Sequence, residues 1–150
     1  MIMLNEYFCK EDLEQISIKE YLGTDKSITE LVDDIDSDFA LDNADVFRQG
    51  VCQLFAYALN QKFNYPVFII TVDGRFHIFC KSEGGKYYID VRGITPDFEK
   101  FIRGTEVPYT PVDISVPYSF IEEDFNGEYH DIGLRFAGAI IDEDEERYRL

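Results

Sequence analysis

A chain of 150 residues that is 45% hydrophobic and 15% aromatic is long enough to bury one core, and its length is that of a single domain rather than several. Its formal net charge of −16 argues against the clustered Lys and Arg that grip a phosphate backbone, so direct nucleic-acid binding is not expected; the charge suits a basic protein partner or plain solubility. There is no apolar run of roughly 18 residues and no basic leader, and Cys9, Cys52 and Cys80 form neither a Cys-x-x-Cys pair nor an even-numbered framework, so a cytoplasmic protein without membrane span or signal peptide is expected.

Residues 11–45 are acidic and helix-like in patches, with Leu13, Ile16, Tyr21 and Leu22 as candidate buried positions. Ser27-Ile28-Thr29-Glu30 has the spacing of a capping box and predicts a second short helix. DDIDSDFALDNADV then reads as an acidic connection in which Asn43 or Asp45 caps the next helix. That helix has the strongest signal in the chain: Val51, Leu54, Phe55, Ala58, Leu59 and Phe63 recur at the three- and four-residue steps of one helical face. Cys52 borders that stripe in the first turn, with small Ala56 one turn further on.

After Asn64-Tyr65-Pro66 the pattern changes to strands. VFIITV, RFHIFCK and KYYIDV, separated by Asp73-Gly74 and Glu83-Gly84-Gly85, predict a three-stranded antiparallel meander. Alternation places His77 with Phe79 on one face and Phe76, Ile78 and Cys80 on the other. Thr95 is read as the cap of a short helix, PDFEKFIR, with Pro96 at its first position and Gly104 as its stop. Pro108, Pro111 and Pro117 reduce the next segment to an extended or edge strand. The four-residue spacing of Ile132, Phe136 and Ile140 favours a C-terminal helix, although GLRFAGAII also admits a strand, and the chain closes on the acidic tail DEDEER. The expectation is an α+β fold in one domain, 1–150: a central helix packed on a small antiparallel sheet forms the core, 48–104, between a helical acidic segment, 1–47, and a C-terminal segment, 105–150.

Chemistry centres on Cys52. A thiol attacks carbonyls as the thiolate, so it needs a device that lowers its pKa and a group that takes and returns a proton. The start of a helix supplies the first through its unpaired N–H groups, which also suit an oxyanion. His77 on the middle strand supplies the second, and Asp90 on the next strand is placed to fix the imidazole tautomer. A turn centred near Gly84-Gly85 leaves His77 and Asp90 within about one residue of facing each other. Taken as a lone cysteine beside an apolar stripe, Cys52 reads as a small core residue; the glycine before it and the His and Asp on successive strands are what point to chemistry.

The segments GVCQLFAYALNQKFNYPVFII, GRFHIFCK and KYYIDVRGI resemble the core of papain-like and transglutaminase-like cysteine enzymes, and are most similar to compact bacterial and phage-encoded members. The resemblance covers about 48–104. It implies a papain-like or transglutaminase-like core with Cys52 as nucleophile, His77 as base and Asp90 as its orienting partner. It also implies a glutamine as oxyanion donor or substrate-positioning group. Gln49 and Gln53 are the candidates, Gln49 lying closer to the cysteine than the family spacing.

His130 is the other histidine and is read as a surface or capping residue, with the option of replacing His77 if the C-terminal segment folds over the site. Cys80 is read as core and Cys9 as incidental. Cys52, His77, Cys80 and His130 lack paired ligand spacing, and Gly84-Gly85 precedes a strand rather than a helix, so neither metal nor cofactor is expected. Two functions remain open. One is a cysteine-dependent hydrolase or acyl transferase, of peptidase, deamidase or transglutaminase type, acting on a protein or peptide substrate. The other is an acidic non-catalytic binding or inhibitor protein on the same scaffold, in its concrete form a nucleic-acid mimic of phage origin. The carboxylate runs at 33–38 and 142–146 motivate that second reading.

Overall fold

A computed structural model of the chain describes residues 10–24, 42–48, 51–120 and 128–150. Two short helices, α1 (Lys10–Glu14) and α2 (Ile18–Leu22), come first. The Ser17 hydroxyl caps α2 by accepting from the Glu20 amide at 3.1 Å, and Gly23, in the left-handed region, closes it with its N–H on the Lys19 carbonyl. Leu13 and Ile18 are buried; Ile16, Tyr21 and Leu22 pack half-buried against the same core. The predicted capping box at Ser27-Ile28-Thr29-Glu30 and the 33–38 run lie outside the described residues.

The chain re-enters beside α2, where Ile18 donates to the Asp42 carbonyl and Ala44 to the Ile16 carbonyl. Neither candidate caps the long helix, which follows Val51 without a side-chain cap: Asn43 Oδ1 instead accepts from the Asp45 amide at 2.9 Å and starts a separate 3-10 turn, Ala44–Arg48. Asp45 turns inward instead and binds Arg48 at 2.7 Å. Phe47 from this turn meets Phe55 and Phe136 at ring-centre distances of 5.3 and 5.6 Å. The long helix expected from the apolar stripe is α3, Cys52–Phe63, which ends at Asn64 in the left-handed conformation. Leu54, Phe55 and Leu59 are buried as the spacing requires, while Ala58 and Phe63 are half-buried.

The meander forms β1 (Val67–Val72), β2 (Arg75–Lys81) and β3 (Tyr88–Asp90). Asp73 and Gly74 both take positive φ, 53° and 80°, the backbone a two-residue hairpin turn needs to match the strand twist. Two further strands enlarge it. β4 (Gly93–Thr95) folds back on β3, and β5 (Val116–Pro117) pairs with β1, giving the order β4-β3-β2-β1-β5 with every pairing antiparallel. Pro117 sits in an edge strand, where a residue without N–H is tolerated.

The sheet separates two apolar clusters. Val67, Ile78, Cys80 and Ile89 belong to the larger, with α3 and the C-terminal helix α5 (Glu128–Glu143). Ile70, Phe79 and Tyr88 belong to the smaller, with Phe101 and Ile102 of α4 (Phe98–Arg103) and with Val107. Helix α4 begins later than expected because Asp97, not Thr95, is its cap: Asp97 accepts from the Lys100 amide, and Thr95 Oγ1 accepts from the Asp97 amide. Pro96 therefore precedes the helix, and Gly104 ends it as expected. The acidic tail is also more ordered than a solvated run. It forms α6 (Glu145–Tyr148), and its fully buried Tyr148 donates a hydrogen bond to the Val91 carbonyl at 2.8 Å. The fold is mixed α+β with a small five-stranded antiparallel sheet.

Candidate active site

The site is made by a strand that stops early. Strands β2 and β3 pair Cys80 with Ile89 and Lys81 with Tyr88, and Ser82 donates to the Tyr87 carbonyl at 3.1 Å. Continued, this register sets Ile78 opposite Val91, with the Ile78 amide directed at β3. Strand β3 ends at Asp90, so that ladder bond is not made. The Ile78 amide donates to Cys52 Sγ at 3.3 Å, and the Val91 carbonyl accepts from Tyr148. Cys52, the first residue of α3, thus fills the gap in the sheet that β3 leaves, and it is buried there.

His77 and Asp90 meet without any register shift. In the same register Asp90 faces Phe79 and lies diagonal to His77, on the same face, and the two side chains span that diagonal with Nε2 3.0 Å from Oδ2. The imidazole lies between aromatic rings, stacked on Phe79 at 5.9 Å and 5.7 Å from Phe101. Burial disfavours its charged form, but hydrogen bonds to Asp90 and then to Cys52, together with their charges, outweigh this and raise its pKa from 6.5 to about 9. With Nε2 committed to Asp90, Nδ1 is the nitrogen left for the thiol.

Asp90 is held by a residue that sequence reasoning passed over. The buried Arg92 guanidinium binds it through Nη2 at 2.5 Å and through Nε, and the Arg92 amide donates to Oδ1 at 2.9 Å. Burial alone would raise the Asp90 pKa; the Arg92 charge and the His77 hydrogen bond overcome it and hold the carboxyl well below the usual carboxylate range. Arg92 also donates from Nη1 to the Phe101 carbonyl, passing over Gly104, where a Cβ would lie 1.9 Å from Nη1. Gly104 is therefore required by close approach as well as by helix termination. Asp90 and Arg92 meet because Val91 and Arg92 form the turn between β3 and β4, which folds the Arg92 amide and guanidinium back onto the Asp90 carboxylate.

Gln49 and Cys9 lie outside the described residues. Gln53 is in the first turn of α3, and its Oε1 is a buried acceptor with no hydrogen-bond partner among the described residues; an oxyanion donor would have to be its NH2 end. His130 is buried at the start of α5, not a surface residue, because that helix packs onto α3; it is His77 whose pKa the neighbouring Cys52 helps to raise. Cys80 is core, as expected: its Sγ donates to the Ala56 carbonyl at 3.4 Å, and burial pushes its pKa up. Carboxylates of the 142–146 run are engaged within the chain, Asp142 with Lys62, Asp144 with Arg147 and Glu145 with Arg149. Among the described residues no cluster of His, Cys, Asp and Glu is arranged to hold a metal ion, and no helix is long and apolar enough to cross a membrane. No family model, no curated protein and no solved structure matches the chain.

Proposed function

We propose that the protein is a small cysteine hydrolase or acyl transferase on a papain-like or transglutaminase-like core, with Cys52 as nucleophile, His77 as acid and base, and Asp90 as the group that orients the imidazole. The observation that carries this reading is the buried His77–Asp90 hydrogen bond at 3.0 Å beside Cys52 in the first turn of α3, with the imidazolium favoured to about pH 9. A positive neighbour is what converts a buried thiol into a usable nucleophile. Arg92 is the positioning residue: it keeps Asp90 ionised and locks its rotamer.

In the proposed reaction Cys52 Sγ bonds to the carbon of a carboxamide and the C–N bond breaks. The His77 proton goes to the departing amine, leaving a thioester. Water, or a second amine, then gives a proton back to His77 and attacks the thioester. The products are an acid or a new amide, with Cys52 regenerated.

The test is alkylation by iodoacetamide across pH, mapped by mass spectrometry. Cys52 and Cys80 are equally inaccessible, at 1% and 0% exposure, so a difference between them reads their neighbours rather than their access. Cys52 is expected to react well below the pH at which Cys80 does, and His77→Ala is expected to remove the difference. A Cys52 that reacts no faster than an ordinary thiol at neutral pH ends the proposal.

A further inference from the structure

The ladder bond that β2 and β3 do not make at Ile78 is divided between two other elements. In their register Ile78 stands opposite Val91, at a position where its amide and the Val91 carbonyl would bond, as the Ser82 amide and Tyr87 carbonyl do. The amide instead donates to Cys52 Sγ at 3.3 Å, from the start of α3, and the carbonyl accepts from the Tyr148 hydroxyl at 2.8 Å, from α6. Ile78, Val91, Cys52 and Tyr148 are all buried, so these groups satisfy one another or go without. The sulfur keeps its donor only while the carbonyl has another.

Helix α6 is fastened where it can hold that carbonyl. Val91 and Arg92 form the turn between β3 and β4, with Asp90 and Gly93 paired across its base. The Arg147 stem lies against Gly93, so closely that a Cβ there would be 3.2 Å from Arg147 Cγ, and Asp144 binds Arg147 at 2.9 Å. Tyr65, just after α3, secures the end of the helix: its hydroxyl donates to the Tyr148 carbonyl at 2.7 Å and accepts from the Leu150 amide at 2.9 Å. The element that bears on the Asp90–Arg92 turn is thus the one that takes the Val91 carbonyl.

We propose that Tyr148 is a positioning residue of the Cys52 site: by taking the Val91 carbonyl it leaves the Ile78 amide to the sulfur, so that the thiol is polarised only while α6 is docked on the β3–β4 turn. The proposal rests on the proposed Cys52 chemistry for its reactivity readout alone. An N–H donor favours the thiolate over the thiol. Without the Tyr148 hydroxyl the buried Val91 carbonyl is left to the donor that the register sets opposite it, the Ile78 amide, and the sulfur loses its bond. Among the described residues the charged and titratable groups around this point are His77 from β2, Asp90 and Arg92 at the turn, and Tyr148 with the Arg147–Asp144 pair from α6. Only Tyr148 changes in the test.

The experiment uses the whole chain and Tyr148→Phe, which keeps the ring and removes only the hydroxyl. The first readout is the Ile78 amide proton in the NMR spectrum. In the parent, Cys52→Ala is expected to shift it, because its acceptor is gone; in the Tyr148→Phe background the same substitution is expected to leave it in place, because the amide has turned to Val91. The second is iodoacetamide labelling across pH. In Tyr148→Phe the Cys52 profile is expected to move up by about one unit, so that labelling at neutral pH slows about tenfold. Cys80, where the ladder is intact, is expected to label as in the parent. A parent Cys52 no more reactive than an ordinary thiol ends the enzyme reading and leaves the amide to decide this one. An Ile78 amide that responds to Cys52→Ala equally in both backgrounds overturns the proposal, and so does a reactive Cys52 whose pH profile Tyr148→Phe leaves unmoved, since a loss of stability alone would make Tyr148 only a packing residue. If Tyr148→Phe does not fold, Tyr65→Phe, which loosens the end of α6 without touching the Tyr148 ring, carries the same comparison, with the Ile78 response expected to be reduced rather than abolished.

Discussion

Cys52 and Cys80 occupy the same interface, between α3 and β2, and both are buried, yet their hydrogen bonds run in opposite directions. Cys80 donates its proton to the Ala56 carbonyl, so it needs to stay a thiol, and burial pushes its pKa up. Cys52 accepts from the Ile78 amide and helps to raise the pKa of neighbouring His77, so its surroundings donate rather than accept. The cause lies in the neighbouring strand. At Cys80 the ladder is intact, because Ile89 of β3 pairs there; at Ile78 it is broken, because β3 has already ended. Burial does not distinguish a structural thiol from a candidate nucleophile here, but the point at which a strand stops does.

The largest effect should come from removing what makes the Cys52 end polar. Asp90→Asn leaves the buried Arg92 guanidinium without its counter-charge, and breaking such a pair costs about 3–5 kcal/mol. Urea unfolding should show a loss of that order, and the double variant Asp90→Asn/Arg92→Met should recover part of it by removing the stranded cation. A single variant within about 1 kcal/mol of the parent would mean that the buried network does not hold this end of the interface.

The two thiol environments should also separate by pH. The folded-state pKa of His77, about 9, exceeds its ordinary 6.5, so its contribution is fully present below pH 6.5 and is lost as pH rises through about 9. The shift corresponds to roughly 3 kcal/mol at most. The Cys80 thiol is kept neutral in the fold, so its contribution begins to fall only above the ordinary thiol value of 9.0, where the unfolded chain ionises. Stability measured from pH 6 to 10 should therefore decline in two windows. His77→Gln should flatten the lower one, and a lower window unchanged in that variant would show that His77 does not carry it.

Much of this was legible in the sequence because it rests on local rules. The stripe from Leu54 to Leu59 and the Asp73-Gly74 turn carry their own periodicity and backbone demands. They were enough to bring Cys52, His77 and Asp90 to neighbouring elements. The contact itself was not legible as made: the expected route was a register shift, whereas the structure keeps the register and uses the diagonal. Arg92 was missed because a charged residue after a strand reads as solvated, and only the glycine at 104, far along the chain, makes room for it inside. Tyr148 was missed for a similar reason, since an acidic tail hides the one aromatic that docks it under Val91. Thr95 reads as the cap because Pro96 fits a first helical position, but the Asp97 carboxylate offers the stronger acceptor two residues later.

The smallest expected effect is the most selective test of the contrast. In Cys80→Ser the hydroxyl can still donate to the Ala56 carbonyl, so the change trades a soft, poorly solvated S–H for a more polar group in an apolar pocket at a cost of about 1 kcal/mol. In Cys52→Ser the hydroxyl can still accept from the Ile78 amide, and the polar surroundings of His77 and Asp90 suit it better than they suited sulfur, so the expected cost is smaller. Measured side by side, the two substitutions are chemically identical and differ only in site. If both cost the same, the two ends of the α3–β2 interface are equally apolar and the broken ladder at Ile78 has no energetic signature. If Cys80→Ser costs more, the polar environment that the end of β3 creates is real at the level of free energy, and it is confined to the first turn of α3.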